Sequence, residues 1–142
     1  RLGGNSLLDI LVFGRSAANH MLTFLAETRY HRPLDESYIE HALSRLTRWD
    51  QTGAGESVAQ LKAELKKVME MHCGVFRKAD VLQEGVHKVK RLAERLHAAR
   101  LTDHSRIFNT ARIEALELEN LMDIALATVV SALARTESRG AH

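Results

Sequence analysis

The sequence predicts an all-α protein of about five helices. Apolar residues recur at intervals of three or four along nearly the whole chain, which is the period of an amphipathic helix. The alternation typical of half-buried strands is almost absent, and the single proline, Pro33, stands in a polar loop. With 142 residues, 45% of them hydrophobic and 27% charged, the chain has the length and composition of one globular domain. We expect a buried first helix followed by an antiparallel helical bundle.

Composition also excludes several classes of protein. A formal net charge of +2 is too small to indicate a nucleic-acid partner, and none is expected. The only cysteine, Cys73, rules out an internal disulfide and is typical of a reducing compartment. The longest apolar stretch, 7–25, contains Asp9 and Arg15, so it is not predicted to span a membrane. No signal peptide is recognisable.

The first helix is predicted from about Ser6 to about Ala26. Asn5 or Ser6 can act as its N-cap, and Ser6 with Asp9 has the spacing of a capping box. The apolar residues that follow lie on nearly every face, which is typical of a buried helix.

Arg1 stands beside the start of this helix. The pair Gly3–Gly4 lacks Cβ atoms, so the backbone there can turn sharply or approach a ligand closely. The free amides of a helix N-terminus attract an anion or an electron-rich ring, and an arginine matches a carboxylate with two parallel donors. The pattern is compatible with a carboxylate clamp at Arg1, but the residues alone favour the other interpretation, an ordinary capped helix after a Gly-Gly turn.

Four further helices follow the first. Their predicted limits are 35–50, 57 to about 76, 81–100 and 110–134. Their predicted inner faces comprise Ile39, Leu43 and Leu46 in the second helix, which Trp49 closes, Val58, Leu61, Leu65, Val68, His72 and Phe76 in the third, and Leu82, Val86, Val89, Leu92 or Ala93, and Leu96 in the fourth. A second capping box is predicted at Ser57, and the apolar segment 124–133 is expected to be deeply buried.

The outer face of the fourth helix is basic. It carries Lys88, Lys90, Arg91, Arg95 and Arg100. This pattern is typical of a solvated helix face, and a partner-binding surface is the alternative.

Eight histidines invite a search for metal ligands. None stands in a ligand motif, and His72 and Cys73 are adjacent, a spacing that places two helical side chains on different faces. No metal site is expected, and no residue of this chain is assigned a catalytic role.

Longer motifs of the sequence resemble one family. The segment Arg1–Arg15 closely resembles a signature of the flavoprotein subunits of succinate dehydrogenase and fumarate reductase, and its Leu8–Asp9 is more similar to succinate dehydrogenase. Further segments resemble the family in order and spacing, namely Gly74–Arg77, Val81–Gly85, Asn109–Thr110, Leu116–Met122 and Arg135–His142. The resemblance covers essentially the whole chain.

The resemblance implies roles for three residues. Arg1 would bind a carboxylate of succinate or fumarate, and Ser6 and Leu7 would contact FAD. The family's nucleotide-binding fold, its flavin-linking histidine and its proton-delivering arginine would precede Arg1. The resemblance therefore implies that FAD is bound mostly by an N-terminal part that this chain lacks. It assigns no role to Arg135–His142.

Three segments are expected from this resemblance. Residues 1–26 would be the last helix of the flavin-binding domain, facing the flavin, residues 27–134 the helical domain, and residues 135–142 the start of a C-terminal tail. The chain would be an internal fragment that is inactive alone. An uncovered apolar first helix would favour self-association of that fragment.

The resemblance implies that the intact subunit oxidises succinate to fumarate in the tricarboxylic acid cycle. Electrons would pass to an iron–sulfur subunit and then to quinone, in a complex with membrane anchor subunits. The subunit would lie peripherally on the cytoplasmic side of a bacterial inner membrane, or on the matrix side in mitochondria. The alternative is a non-catalytic helical bundle that binds a partner through the basic face of its fourth helix.

Overall fold

The chain folds into five α-helices, and the structure, a computed structural model, describes residues 5–28, 30–31 and 33–138. The helices are α1 (Asn5–Glu27), α2 (Glu36–Thr47), α3 (Val58–Cys73), α4 (Ala79–Leu96) and α5 (Thr110–Ala134). One turn of 3₁₀-helix (Arg48–Asp50) continues α2, and two short strands, β1 (Glu56–Ser57) and β2 (Ala99–Arg100), form a parallel pair. The predicted all-α class and five helices are confirmed in the described residues, and only the strand pair was not predicted.

Helices α3, α4 and α5 form an antiparallel bundle. Gly85, early in α4, lies against His72 at the end of α3 and Val129 late in α5. At the other end of α4, Arg95 donates to Glu64 in the first half of α3. A Cβ atom at Gly85 would lie 2.7 Å from the Cβ of His72, so a larger residue there would force the helices apart.

The core lies between these three helices, and each contributes one apolar stripe. The buried apolar residues are Val58, Leu61, Leu65, Val68 and Cys73 from α3, Leu82, Val86, Val89, Leu92 and Leu96 from α4, and Ala115, Leu118, Met122, Ala125, Val129 and Ala132 from α5. The predicted inner face of the fourth helix is confirmed, with Leu92 and not Ala93 as the buried member of that alternative. In the third helix, Phe76 is exposed and its predicted burial is wrong, because α3 ends at Cys73 and Gly74 turns the chain into extended backbone.

Two further predictions need correction. The fourth helix spans 79–96 rather than 81–100, because the residues after Leu96 turn and then enter strand β2. The segment 124–133 is not buried on all faces, since Ile124 and Val130 are exposed and only one stripe of α5 faces the core. A helix packed on one side of a small bundle can cover only one of its faces.

Two of the helices have an N-terminus capped by a side chain. The side chains of Asp35 and Asn109 each accept a hydrogen bond from the backbone of the helix that follows, at 2.9 and 2.8 Å. Ser57 occupies the N-cap of α3 without a side-chain hydrogen bond, so the predicted capping box is not formed there. Helix α1 already includes Asn5, which places Ser6 inside the first turn rather than at the cap.

Helix α2 is attached to the bundle by polar contacts. It contributes no buried residue, and the predicted stripe of Ile39, Leu43 and Leu46 is about half exposed. Trp49, predicted to close the second helix, lies in the 3₁₀ turn that follows α2 and is buried. Apolar burial therefore stabilises this attachment through one side chain.

The carboxylate of Glu119 on α5 organises that attachment. It accepts hydrogen bonds from the indole N–H of Trp49 at 3.1 Å and from Arg45 at 3.2 Å, and its other contact is a 3.0 Å ion pair with Arg48. Arg48 also stacks over the Trp49 ring at 4.3 Å and donates to the carbonyl oxygen of Leu96 at 2.8 Å. One buried anion on α5 thus fixes α2 and the 3₁₀ turn, and Arg48 extends the network to the end of α4.

Replacing Glu119 by Ala should destabilise the chain strongly. The change removes a shared acceptor from two arginines and an indole N–H in a site where the carboxylate is only 10% exposed. Breaking a buried pair in this way costs about 3–5 kcal/mol. Urea unfolding followed by far-UV circular dichroism measures the loss.

Glu117→Ala is the matched control on the same helix. Its carboxylate is 60% exposed and lies 3.8 Å from Lys62, so its removal should change the free energy of unfolding by less than about 0.5 kcal/mol. Equal losses in the two variants would contradict the role given to Glu119.

Candidate functional site

The first turn of α1 is the part of the predicted site that the structure describes. Ser6 and Leu7 both lie in this turn and both are exposed. The first four backbone amides of a helix have no acceptor within the helix, and this turn contains no acidic residue that would compete for them. The N-terminal end of α1 therefore combines backbone amide donors, the positive end of the helix dipole and the apolar side chain of Leu7.

Three residues of the predicted site lie outside the described residues. These are Arg1, Gly3 and Gly4. The carboxylate clamp at Arg1 consequently stays a prediction.

The remainder of α1 presents an apolar surface. Its large apolar side chains are between 49% and 69% exposed, namely Leu7, Leu8, Ile10, Leu11, Val12, Phe13, Met21, Leu22, Phe24 and Leu25. The predicted burial of this helix is therefore wrong for the chain taken by itself, because no other described element packs extensively against it. An apolar surface of this size is typical of a contact with another protein surface.

The basic face of α4 is largely engaged within the chain. Arg95 donates to Glu56 and Glu64. Arg100, which was predicted on this face, lies in strand β2 beyond the end of α4 and donates to the carbonyl oxygen of Ala99 at 2.8 Å. Lys88 pairs with a glutamate on its own helix. Of the five basic residues predicted to form this face, three thus have partners inside the chain, which favours a structural role over partner binding.

A buried histidine lies beside this face. The ammonium group of Lys88 donates to Nε2 of His72 at 2.9 Å and pairs with the carboxylate of Glu84 at 2.8 Å. The hydrogen bond between Lys88 and Glu84 lowers the pKa of Glu84. Because Nε2 accepts, the proton of the neutral imidazole lies on Nδ1, which is buried and has no acceptor among the described residues. His72 is thus held in one tautomer by the charge of Lys88.

Arg95 joins three elements at the opposite end of α4. Its guanidinium donates to both carboxylate oxygens of Glu56, at 3.0 and 2.7 Å, and to Glu64 at 2.9 Å. These hydrogen bonds hold the pKa of Glu56 below its usual range and raise the pKa of Arg95. Through Glu56 and Glu64, Arg95 thus connects strand β1 and α3 to α4.

The loop before α5 contains an unusual residue that sequence reasoning missed. Phe108 has a φ of 53°, in the left-handed region, and its side chain is 97% exposed. Its neighbour Ile107 is 76% exposed. A left-handed conformation costs a residue with a Cβ about 1–2 kcal/mol, and an exposed ring recovers none of it. We call Ile107 and Phe108 together the aromatic corner.

Asn109 fixes the aromatic corner. Its side-chain amide donates to the carbonyl oxygens of Asp103 and Ser105, both at 2.9 Å, and its side-chain oxygen accepts from the backbone of Arg112 at 2.8 Å. The corner borders an open cleft of about 640 Å³. Arg112 lines this cleft, and its Nε atom is buried without an acceptor among the described residues, although its terminal nitrogen pairs with Asp50.

Three further features of the sequence were compared with the structure: possible metal ligands, the apolar helices and the C-terminal residues. Among the described residues, no three side chains of His, Cys, Asp or Glu are placed together in a way that could hold a metal ion. Across the same residues, no helix combines the length and hydropathy that crossing a membrane requires. At the C-terminal end, Nε of Arg135 lies 3.6 Å from a carboxylate oxygen of Glu137. Arg139 and His142 lie outside the described residues.

Fold and site together define a small helical bundle preceded by an apolar helix whose N-terminal turn is open to a ligand. The family model for the C-terminal part of the fumarate reductase flavoprotein matches residues 62–142. The chain belongs to this family of succinate dehydrogenase and fumarate reductase flavoproteins. Its resemblance to that family is thereby confirmed.

Individual relatives match the chain over its whole length. It is 49% identical to the succinate dehydrogenase flavoprotein subunit of Coxiella burnetii and covers 24% of that protein. It is 37% identical to the mitochondrial succinate dehydrogenase [ubiquinone] flavoprotein subunit of Oryza sativa, of which it covers 22%. It is 35% identical to the fumarate reductase flavoprotein subunit of Mycobacterium tuberculosis, of which it covers 25%. The chain thus spans about a quarter of the length of these curated relatives.

Acid unfolding tests the contact between Glu56 and Arg95. Because the folded-state pKa of Glu56 lies below its ordinary value of 4.5, the ionised contact stabilises the fold fully above pH 4.5. This stabilisation is lost as the pH falls through the folded-state pKa. Glu56→Gln should therefore lower Tm at neutral pH and make its decline below pH 4.5 shallower, as measured by thermal unfolding across that range.

Glu117→Gln, on the exposed side of α5, is the control and should leave the profile of Tm against pH close to that of the unsubstituted chain. An equally steep acid decline in Glu56→Gln and the unsubstituted chain would show that the Glu56 contact is not what acid disrupts.

Proposed function

We propose that this chain is the helical part of a flavoprotein subunit that oxidises succinate to fumarate with FAD. The observation that carries the proposal is the 49% identity over all 142 residues to a protein named succinate dehydrogenase flavoprotein subunit. That match includes the segment Arg1–Arg15, whose arginine, glycine pair and helix start suit a carboxylate and a flavin. The subunit would act in the tricarboxylic acid cycle and in electron transport.

We assign three segments within the proposed subunit. Residues 1–26 form the last helix of the flavin-binding domain, residues 27–134 the helical domain, and residues 135–142 the start of the C-terminal tail. The exposed apolar surface of α1 supports this division, because such a surface requires a cover that the bundle does not provide.

The described end of α1 fits a flavin. Its exposed first turn offers backbone amides to a polar ring edge, and the Leu7 side chain offers an apolar contact to the ring face. In the proposal, Ser6 and Leu7 therefore contact FAD. When bound, FAD would supply the acceptor for the hydride that succinate loses.

Arg1 has the second role. Its guanidinium would hold one carboxylate of succinate through two parallel hydrogen bonds and so fix the carbon–hydrogen bond that breaks. The hydride would go to the flavin, and the accompanying proton would go to a basic group outside this chain. Because the chain lacks that group and most of the flavin site, we propose that it is inactive alone.

The proposed subunit works in an assembly. Electrons would leave the flavin through an iron–sulfur subunit and reach quinone, and anchor subunits would hold the complex at a membrane. The subunit would lie peripherally on the cytoplasmic side of a bacterial inner membrane or on the matrix side in mitochondria. Apart from the subunit, the uncovered α1 would favour self-association of the fragment.

Arg1→Ala in the full-length subunit should abolish most succinate oxidation. Losing a charged, two-pronged carboxylate contact costs about 2–5 kcal/mol, which corresponds to a loss in kcat/KM of roughly thirtyfold to several thousandfold. Reduction of an electron-accepting dye by succinate measures the rate. The visible flavin spectrum should be unchanged, since Arg1 is proposed to contact the substrate.

Arg1→Lys, which keeps the charge but not the fork of donors, should recover only part of the activity. Turnover by Arg1→Ala equal to that of the unsubstituted subunit would refute the clamp. A non-catalytic bundle would instead lose partner binding when Lys90 and Arg91 are replaced by Glu, with no effect on flavin chemistry.

The purified 142-residue chain should show no flavin absorption and should take up no FAD when it is added. Most of the proposed flavin site lies outside the chain, and one helix end cannot hold the cofactor. A spectrum taken after gel filtration with excess FAD tests this. Stable flavin bands that bleach with succinate would show that the chain alone is sufficient and that the proposed division is wrong.

A further inference from the structure

We draw no further inference here: the strongest candidate, the cleft between α2, the C-terminal end of α4 and α5, belongs to the attachment of α2 already described, because Arg45 and Arg48, the two arginines that line it, are both bound to the carboxylate of Glu119.

Discussion

The carboxylate of Glu119 joins α2 and its 3₁₀ turn to the bundle of α3, α4 and α5. Helix α2 buries no side chain of its own, so the apolar contribution to its attachment is confined to Trp49. The orientation of α2 on the bundle is set instead by the hydrogen bonds and ion pairs that Trp49, Arg45 and Arg48 make with Glu119. A buried ion pair of this kind is a weak source of net stability, because both charges lose water. Its stronger effect here is geometric, since only one placement of α2 satisfies all the donors.

Periodicity alone identified the bundle. The apolar stripes of α3 and α4 lie in the core as predicted, because spacing determines which side chains share a helix face. The same reasoning failed where burial depends on a neighbour. The exposure of α1 and of Ile124 could not be deduced from their own segments, because exposure is set by whichever surface lies opposite.

The network around Glu119 was also beyond sequence reasoning, although it left a trace. Glu119 stands on the stripe between Leu118 and Met122, where a charge is out of place. That position signals a buried acceptor, but its main donor, Trp49, is 70 residues away along the chain. The left-handed conformation of Phe108, before α5, could not be predicted because conformational propensity favours Asn109 over Phe108 for a positive φ. For the site, the family motif predicted Ser6 and Leu7, and the structure places both in an open first turn.

The indole of Trp49 has a consequence for observing this molecule. It is the single tryptophan of the chain, it is 1% exposed, and it lies beneath the guanidinium of Arg48. Detachment of α2 would move this ring from a polar but dry site into water while the α3–α5 core stays packed. The wavelength of its fluorescence therefore reports the position of α2 separately from the folding of the bundle. A titration watched in both signals would show whether the N-terminal elements come away before the core opens.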